Sequence, residues 1–177
     1  MTSAKNSSRP AGSGRSRRPV AVLRAAGVGA VAGLAGGAVM SLGEKLEQAV
    51  THRPDSHVPA RALLALLGRD PGDAATPVLW NHVMHYGTAA TLGALRGVWA
   101  VTGIRGAHAD AWHTVVRLAF DQTVENVTGA GAPPATWPAR ELAVDVLHKT
   151  VFSVVTGQVA DRLLPATLVS GRGRLSH

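Results

Sequence analysis

Residues Ala25 to Gly43 read AAGVGAVAGLAGGAVMSLG, an apolar stretch bordered by Arg24 and Glu44 and free of charged residues. At a rise of 1.5 Å per residue, a helix of this length crosses a hydrocarbon core of about 30 Å. The stretch therefore predicts a transmembrane helix, and the rest of the chain is interpreted from it.

The composition narrows the class of protein. The chain has 177 residues, of which 46% are hydrophobic and only 16% charged, below the usual quarter. It contains no cysteine, which excludes disulfides, thiolate catalysis and Cys-ligated metals. The net charge of +7 is concentrated near the chain ends. Because it forms no basic face with interleaved aromatic residues, no nucleic-acid partner is expected.

Hydrophobic periodicity predicts an all-α protein, a four-helix transmembrane bundle within residues 20–165. The long helices are expected at about 20–50, 78–103, 109–128 and 139–164. A short interfacial helix is expected at 59–67, because it opens on Pro59, stops at Gly68 and is too short to span. Residues 1–19 are predicted to be a disordered basic tail, and residues 166–177 a C-terminal tail.

Charge and tryptophan positions predict the orientation. The N-terminal arginines and the C-terminal pair Arg172 and Arg174 suit the cytoplasmic side, as does the short connection with Arg105. Trp80, Trp99, Trp112 and Trp137 all fall near helix ends, where interfacial rings concentrate. We therefore expect a multi-pass protein of the plasma membrane with both termini in the cytoplasm and the lipid bilayer as its partner.

A cleaved export signal is the rival interpretation of the N-terminus. Ser16-Arg17-Arg18-Pro19 is similar to a twin-arginine start, and Ala30-Val31-Ala32 to a small-residue cleavage site. Two observations weigh against cleavage. The arginine pair is not followed by the usual large apolar residues, and the apolar run continues beyond the site.

Glycines recur at helical spacing in two of the expected spans. Gly29, Gly33 and Gly37 form a tandem GxxxG pattern, which Gly93 and Gly97 repeat in the second span. Such a stripe lets a second helix approach closely inside a membrane. These glycines are predicted helix-packing residues, either within the chain or in a homo-oligomer, although a Gly/Ala-rich run also produces the spacing by chance.

The four-span topology brings histidines and carboxylates together at the outer ends of the helices. Three interpretations stay open: ion pairs that hold the bundle together, such as Arg117–Asp121 and Asp145–Lys149; a divalent metal site; and a proton path continuing through His113. The candidate metal ligands are Glu44, His82, His85, Asp121, Glu141, Asp145 and His148.

The third long helix is the weakest expected span. His113, Arg117, Asp121 and Glu125 form one polar stripe along it. A lipid-exposed charge at mid-depth costs about 2.5–3.5 kcal/mol on insertion scales. The helix can therefore span only if this stripe faces the bundle interior.

No pattern predicts catalysis. The segment GVGAVAG lacks the Lys-Ser/Thr that follows a phosphate-binding loop, and no serine lies in a nucleophile-elbow context. We therefore predict no catalytic residue and no cofactor beyond the possible metal, and a non-enzymatic protein is favoured.

Four strings resemble small multi-span membrane proteins of unknown function from GC-rich, actinobacterial-type bacteria: GEKLEQ (43–48), RPDSHVPAR (53–61), FDQTVENVTGAGAPPATWP (120–138) and DVLHK (145–149). The resemblance implies a membrane location and no particular activity. The leading hypothesis is an integral membrane protein with an outer cluster of His and carboxylates. The alternative is a soluble or exported helical-bundle metalloprotein that uses the same cluster.

Overall fold

A computed structural model describes residues 13–70 and 77–169, with side chains from residue 18 onward. These residues form five α-helices and no strand: α1 (Ser13–Thr51), α2 (Val58–Leu66), α3 (Pro77–Thr102), α4 (Gly106–Val127) and α5 (Ala139–Leu163). The prediction of an all-helical bundle is confirmed. The tails predicted for residues 1–12 and 170–177 lie outside the described residues, as does part of the loop after α2, residues 71–76.

Two helices begin three or more residues earlier than the sequence predicts. α1 begins at Ser13, so residues 13–19, which we expected in the disordered tail, belong to the helix. Extending an existing helix by one residue requires no new nucleus, so it can continue past the apolar run into Ser and Arg. α4 begins at Gly106 rather than at residue 109. Gly103 and Gly106 have positive φ angles of 97° and 72°, a conformation that glycine adopts readily, and this shortens the connection from α3.

The four long helices alternate in direction. Gly29 of α1 lies opposite Gly97 of α3, and Gly33 lies opposite Gly93, so α1 and α3 are antiparallel. α5 also packs on α1, and α4 packs mainly on α5. The bundle therefore has an Arg24 end, with the start of α1 and the α3–α4 connection, and a Glu44 end, with the end of α1 and the start of α5.

The two glycine stripes form the α1–α3 interface. A Cβ atom on Gly29 would lie 2.7 Å from the Cα of Gly97, and one on Gly33 would lie 2.8 Å from the Cα of Gly93. Gly37 follows in the same row, where an added Cβ atom would lie 3.0 Å from the Cβ of Ala89. The atoms in the way at Gly29 and Gly33 are backbone, so neither helix can yield locally. Because the stripes cover each other within one chain, they do not lie open to a second copy.

α5 docks on α1 through another glycine. A Cβ atom on Gly36 would lie 2.8 Å from the carbonyl oxygen of Phe152. The apolar core around these contacts is rich in alanine. One cluster contains Ala25, Ala32, Ala100, Val101, Ala160 and Leu164, and the other contains Met40, Ala89, Leu92 and Phe152. Small residues of this kind let helix backbones approach closely.

α2 lies at the Glu44 end and packs on α3. The side chain of Asn81 accepts a hydrogen bond from the backbone N–H of Ala60 at 3.1 Å and donates one to the carbonyl of Ser56 at 3.1 Å. Gly68, with a φ of 67°, follows the last turn, as the sequence predicts.

Exposed positions form an uncharged belt around the bundle, which we define as residues 25–44 of α1, 83–102 of α3, 106–127 of α4 and 142–161 of α5. Within these ranges no Asp, Glu, Lys or Arg is exposed. Large apolar side chains are exposed instead, including Val31 (62%), Leu34 (41%), Val115 and Val154.

The interior of the same region is polar. Arg96 and His113 are 0% exposed, and Arg117 and Lys149 are also buried. The usual distribution of a water-soluble protein, with charges outside and large apolar side chains inside, is thus reversed over the belt.

By length and hydropathy, one helix of the described residues could cross a membrane, Arg18–Thr51. Hydropathy averages over all side chains of a helix, so α3, α4 and α5 are penalised for charges that point inward. The prediction of four spans is not established by this criterion and stays a prediction.

Candidate functional site

A chamber of about 320 Å³ lies between the helix ends at the Glu44 end of the bundle. Its wall contains side chains from α1, α3, α4 and α5, and from the loops that follow α1 and α4. Six of the seven side chains predicted as metal ligands line it: Glu44, His85, Asp121, Glu141, Asp145 and His148.

The seventh, His82, does not line the chamber. It is exposed on α3, and its ring stacks on Tyr86 with centroids 6.1 Å apart. One helical turn on, His85 contacts the other side of the same tyrosine, edge to face at 5.1 Å. Its Nε2 lies 2.9 Å from the hydroxyl of Ser41, which orients the imidazole between α3 and α1.

Four charged side chains of α4 and α5 form a ladder in the chamber wall. The Nε of Arg117 donates to Asp121 at 2.9 Å, and the Nζ of Lys149 lies 3.4 Å from the same carboxylate. Lys149 also donates to Asp145, one turn earlier on α5. Both predicted pairs, Arg117–Asp121 and Asp145–Lys149, are therefore present. With two cations and two carboxylates, the ladder has no net charge.

Three further carboxylates face the chamber without a partner. Glu44, Glu125 and Glu141 come from α1, α4 and α5, and none makes a hydrogen bond or ion pair within the described part of the chain. The one other cation of the wall, Arg53, is paired with Glu47 at 2.9 Å. The chamber thus contains more negative than positive charge, with the histidines neutral.

The loop segments that close the chamber are held by local contacts. Trp137 donates its indole N–H to the carbonyl of Ala132 at 2.8 Å, after a short 3-10 turn at Pro134–Thr136. On the opposite rim, hydrogen bonds from Arg53 and Lys45 lower the pKa values of Glu47 and Asp55 below the usual range of carboxyl groups. Both carboxylates therefore stay charged at neutral pH and hold the α1–α2 connection.

The structure does not assign a metal to the chamber. In residues 13–70 and 77–169, no three His, Asp or Glu side chains are placed to share one ion. The predicted divalent metal stays a prediction.

A second cluster of charges, which the sequence reasoning missed, lies buried at the Arg24 end. The Nη2 of Arg96 contacts carboxylate oxygens of Asp110 and Asp161, each at 2.9 Å. The backbone N–H of Gly106 also donates to Asp161 at 2.9 Å, and Arg105 donates to the carbonyl oxygens of Asp161 and Leu164. This network ties α3, α4 and α5 together.

Between the two clusters, polar groups continue through the bundle. The Nε2 of His113 donates to the carbonyl of Leu92 at 3.0 Å, and its ring lies between Trp99 and Phe152. Ser153 and Thr156 of α5 are fully buried at the same depth. The polar stripe predicted for α4 therefore faces inward, as a spanning helix requires.

No protein-family model, no curated protein and no solved structure matches the chain.

Proposed function

We propose that this chain is an integral membrane protein whose four long helices span the bilayer, and that its chamber binds a small charged solute. The observation that supports the membrane location is the uncharged belt around a charged interior. Folding in water would leave side chains such as Val31 and Leu34 exposed while burying Arg96 and Arg117, both unfavourably. In a bilayer, the exposed apolar side chains contact lipid, which is favourable, and the buried charged side chains are kept away from lipid.

The depth of the belt supports four spans. The belt covers residues 25–44 of α1 and 142–161 of α5, which at 1.5 Å per residue is about 30 Å, the thickness of a hydrocarbon core. Charged exposed residues stand at its borders, namely Arg24 and Lys45 on α1 and Glu141 and Arg162 on α5. The charged borders of α1 and α5 lie at the same two depths, although the two helices run in opposite directions. This favours one pair of membrane surfaces shared by both helices.

Paired charges make the interior compatible with a membrane. Ionisable residues within spans face the bundle interior and pair with each other. Arg96 has two carboxylate partners, and Arg117 and Lys149 share Asp121. These pairs explain how α4, the least apolar of the expected spans, can be accommodated.

The charge distribution supports an orientation. Arg18, Arg24 and Arg105 lie at the Arg24 end, and positive residues favour the cytoplasmic side. The chamber then opens to the outer side of a bacterial plasma membrane. A cavity that places a few fixed charged groups beside an indole ring, here that of Trp137, offers oriented polar contacts to a small molecule.

The absence of native cysteine allows a direct test by single-cysteine labelling. The variants Ser56→Cys and Ala135→Cys lie at the Glu44 end, and Ile104→Cys and Ala166→Cys at the Arg24 end; all four positions are exposed. A membrane-impermeant maleimide added to intact cells should label the first pair. The second pair should react only after permeabilisation.

Fractionation provides the complementary test. The protein should remain in the membrane pellet after carbonate extraction. Recovery in the soluble fraction would contradict the proposal and favour the alternative, a soluble or exported metalloprotein. In that case metal analysis of the purified protein against a His85→Ala/His148→Ala variant should show loss of bound metal.

A further inference from the structure

Arg117 is a buried cation whose terminal nitrogens are unpaired. Its side chain is 4% exposed, yet it lies in the wall of the chamber and of an adjoining cavity of about 40 Å³. Its Nε donates to Asp121, and its Cζ lies 4.8 Å from the ring centroid of Phe152. Neither Nη1 nor Nη2 has a hydrogen-bond partner among the described residues.

An unpaired guanidinium of this kind is suited to an anionic ligand. Its planar terminal nitrogens match the two oxygens of a carboxylate or phosphate, and charge-assisted hydrogen bonds are the strongest that a side chain forms. Buried donors without acceptors are unfavourable. The ladder carboxylates do not accept from these nitrogens: Asp121 accepts from Nε and contacts Lys149, and Asp145 accepts from Lys149.

The carboxylates of the chamber present the opposite charge. Glu44 and Glu141, on α1 and α5, have no partner within the described residues, and neither has Glu125 on α4. These carboxylates lie on separate helices, and separated carboxylates can receive the several N–H donors of an ammonium group. Unpartnered guanidinium N–H groups and unpaired carboxylates therefore face one cavity.

Resting on the proposed function, we infer that the ligand of the chamber is a small zwitterion, whose carboxylate or phosphate binds Arg117 and whose ammonium group binds among Glu44, Glu125 and Glu141. A simple anion would leave the carboxylates unpaired, and a simple cation would leave the terminal nitrogens of Arg117 without acceptors. The volume of about 320 Å³ lies at the small end of ligand pockets. Both a free solute and an ethanolamine phospholipid headgroup have this chemistry.

Calorimetric titration of the purified full chain in detergent tests the inference, with phosphoethanolamine as the probe. Ethanolamine and inorganic phosphate serve as controls that each contain one half of the probe. Phosphoethanolamine should bind at least tenfold more tightly than either half. Equal affinity for phosphate alone would overturn the inference, as would the absence of any binding.

Two variants test separately the residues that bind the ammonium group and the residue that binds the phosphate group. Glu44→Gln/Glu141→Gln should lower phosphoethanolamine affinity to that of phosphate and leave phosphate binding unchanged. Arg117→Lys retains the charge but loses the planar pair of donors, so both phosphate-containing probes should bind at least tenfold more weakly. Arg140→Gln is the matched control, since Arg140 is exposed at the start of α5 and does not line the chamber, and its affinities should equal those of the parent. Undiminished binding in both chamber variants would contradict the inference.

Nanodiscs distinguish the two sources of the zwitterion. In phosphatidylglycerol discs the chamber should bind added phosphoethanolamine. Loss of this binding in phosphatidylethanolamine discs would identify the lipid headgroup as the ligand, and retained binding would identify a free solute. If the protein is carbonate-resistant and shows the predicted labelling yet binds no probe, the ligand inference is wrong and the proposed membrane location stands. Recovery in the soluble fraction would instead contradict the proposed function.

Discussion

Gly157 of α5 faces the carboxylate of Asp110 on α4 so closely that no side chain fits between them. A Cβ atom on Gly157 would lie 2.7 Å from the Cγ of Asp110 and 2.9 Å from the Nη2 of Arg96. The smallest residue of α5 thus lies directly beside the buried charge network. This is a requirement of side-chain packing, because nothing in the conformation of Gly157 itself demands glycine.

Gly157→Ala should therefore destabilise the protein by about 1–3 kcal/mol, because the added methyl group forces Asp110 away from Arg96. Thermal unfolding in detergent, followed by circular dichroism, measures the effect. Gly27→Ala is the control: a Cβ there meets nothing within 4 Å, so its stability should be equal or slightly higher. Equal stability of both variants would contradict the tight contact.

Arg96→Met should cost about 3–5 kcal/mol, because it leaves Asp110 and Asp161 buried without their shared cation. The triple variant Arg96→Met/Asp110→Asn/Asp161→Asn removes both carboxylate charges as well, so it should recover much of this loss. Reversible unfolding of the three proteins in mixed micelles provides the comparison. A triple variant no more stable than Arg96→Met would show that the charges do not determine the cost.

Gly33→Ala should separate α1 from α3, because its Cβ would meet backbone atoms of Ala89 and Gly93 that cannot move aside. We expect a loss of about 1–3 kcal/mol, as for other overpacked sites. The same unfolding measurement applies, with Gly43→Ala as the matched control on the same helix, where a Cβ meets nothing within 4 Å. Equal losses of stability in Gly33→Ala and Gly43→Ala would contradict a close contact between α1 and α3 at Gly33.

Val115→Lys tests the proposed membrane surface of α4. Val115 is exposed near the middle of the belt, so a lysine there should make insertion less favourable by about 2.5–3.5 kcal/mol. A glycosylation-based insertion assay of the full chain measures the effect. Thr123→Lys, exposed nearer the Glu44 end, should cost less. If Val115 faced water, Val115→Lys would insert and fold like the parent.

Local pattern was sufficient to predict much of the fold. Each long helix lies within a few residues of its expected position, apart from the earlier start of α1. The period-four glycines indicated close helix contact, and the structure has such an interface between α1 and α3. What the pattern could not distinguish was contact within one chain from contact between copies, since the two require the same small residues.

The chamber was predictable because it depends on topology. Once the helices alternate in direction, residues as far apart as Glu44 and Asp145 share one level, and both line the cavity. His82 was misplaced because residues three apart on a helix differ by about 60° in direction, and on α3 this rotation carries His82 away from the chamber wall to the exposed surface.

The network around Arg96 was missed for a different reason. Asp110 and Asp161 are single carboxylates on separate helices, with no periodic partner to draw attention to them. Arg96 likewise has no charged residue at helical spacing on α3 to indicate that it is buried, yet it is fully buried. One signal was available: the alternating topology places both aspartates at the depth of Arg96.

The position of Asp110 in the chain has a consequence for biosynthesis. Arg96 and Asp110 are 14 residues apart, on consecutive helices joined by a tight connection, so they can pair before α5 has been synthesised. In the proposed bilayer setting, α3 and α4 would then leave the ribosomal exit machinery as a hairpin in which Arg96 and Asp110 already neutralise each other. Asp161 is synthesised last and joins α5 to this hairpin through Arg96. The order in which these residues are synthesised thus matches the order in which their charges can be paired and buried.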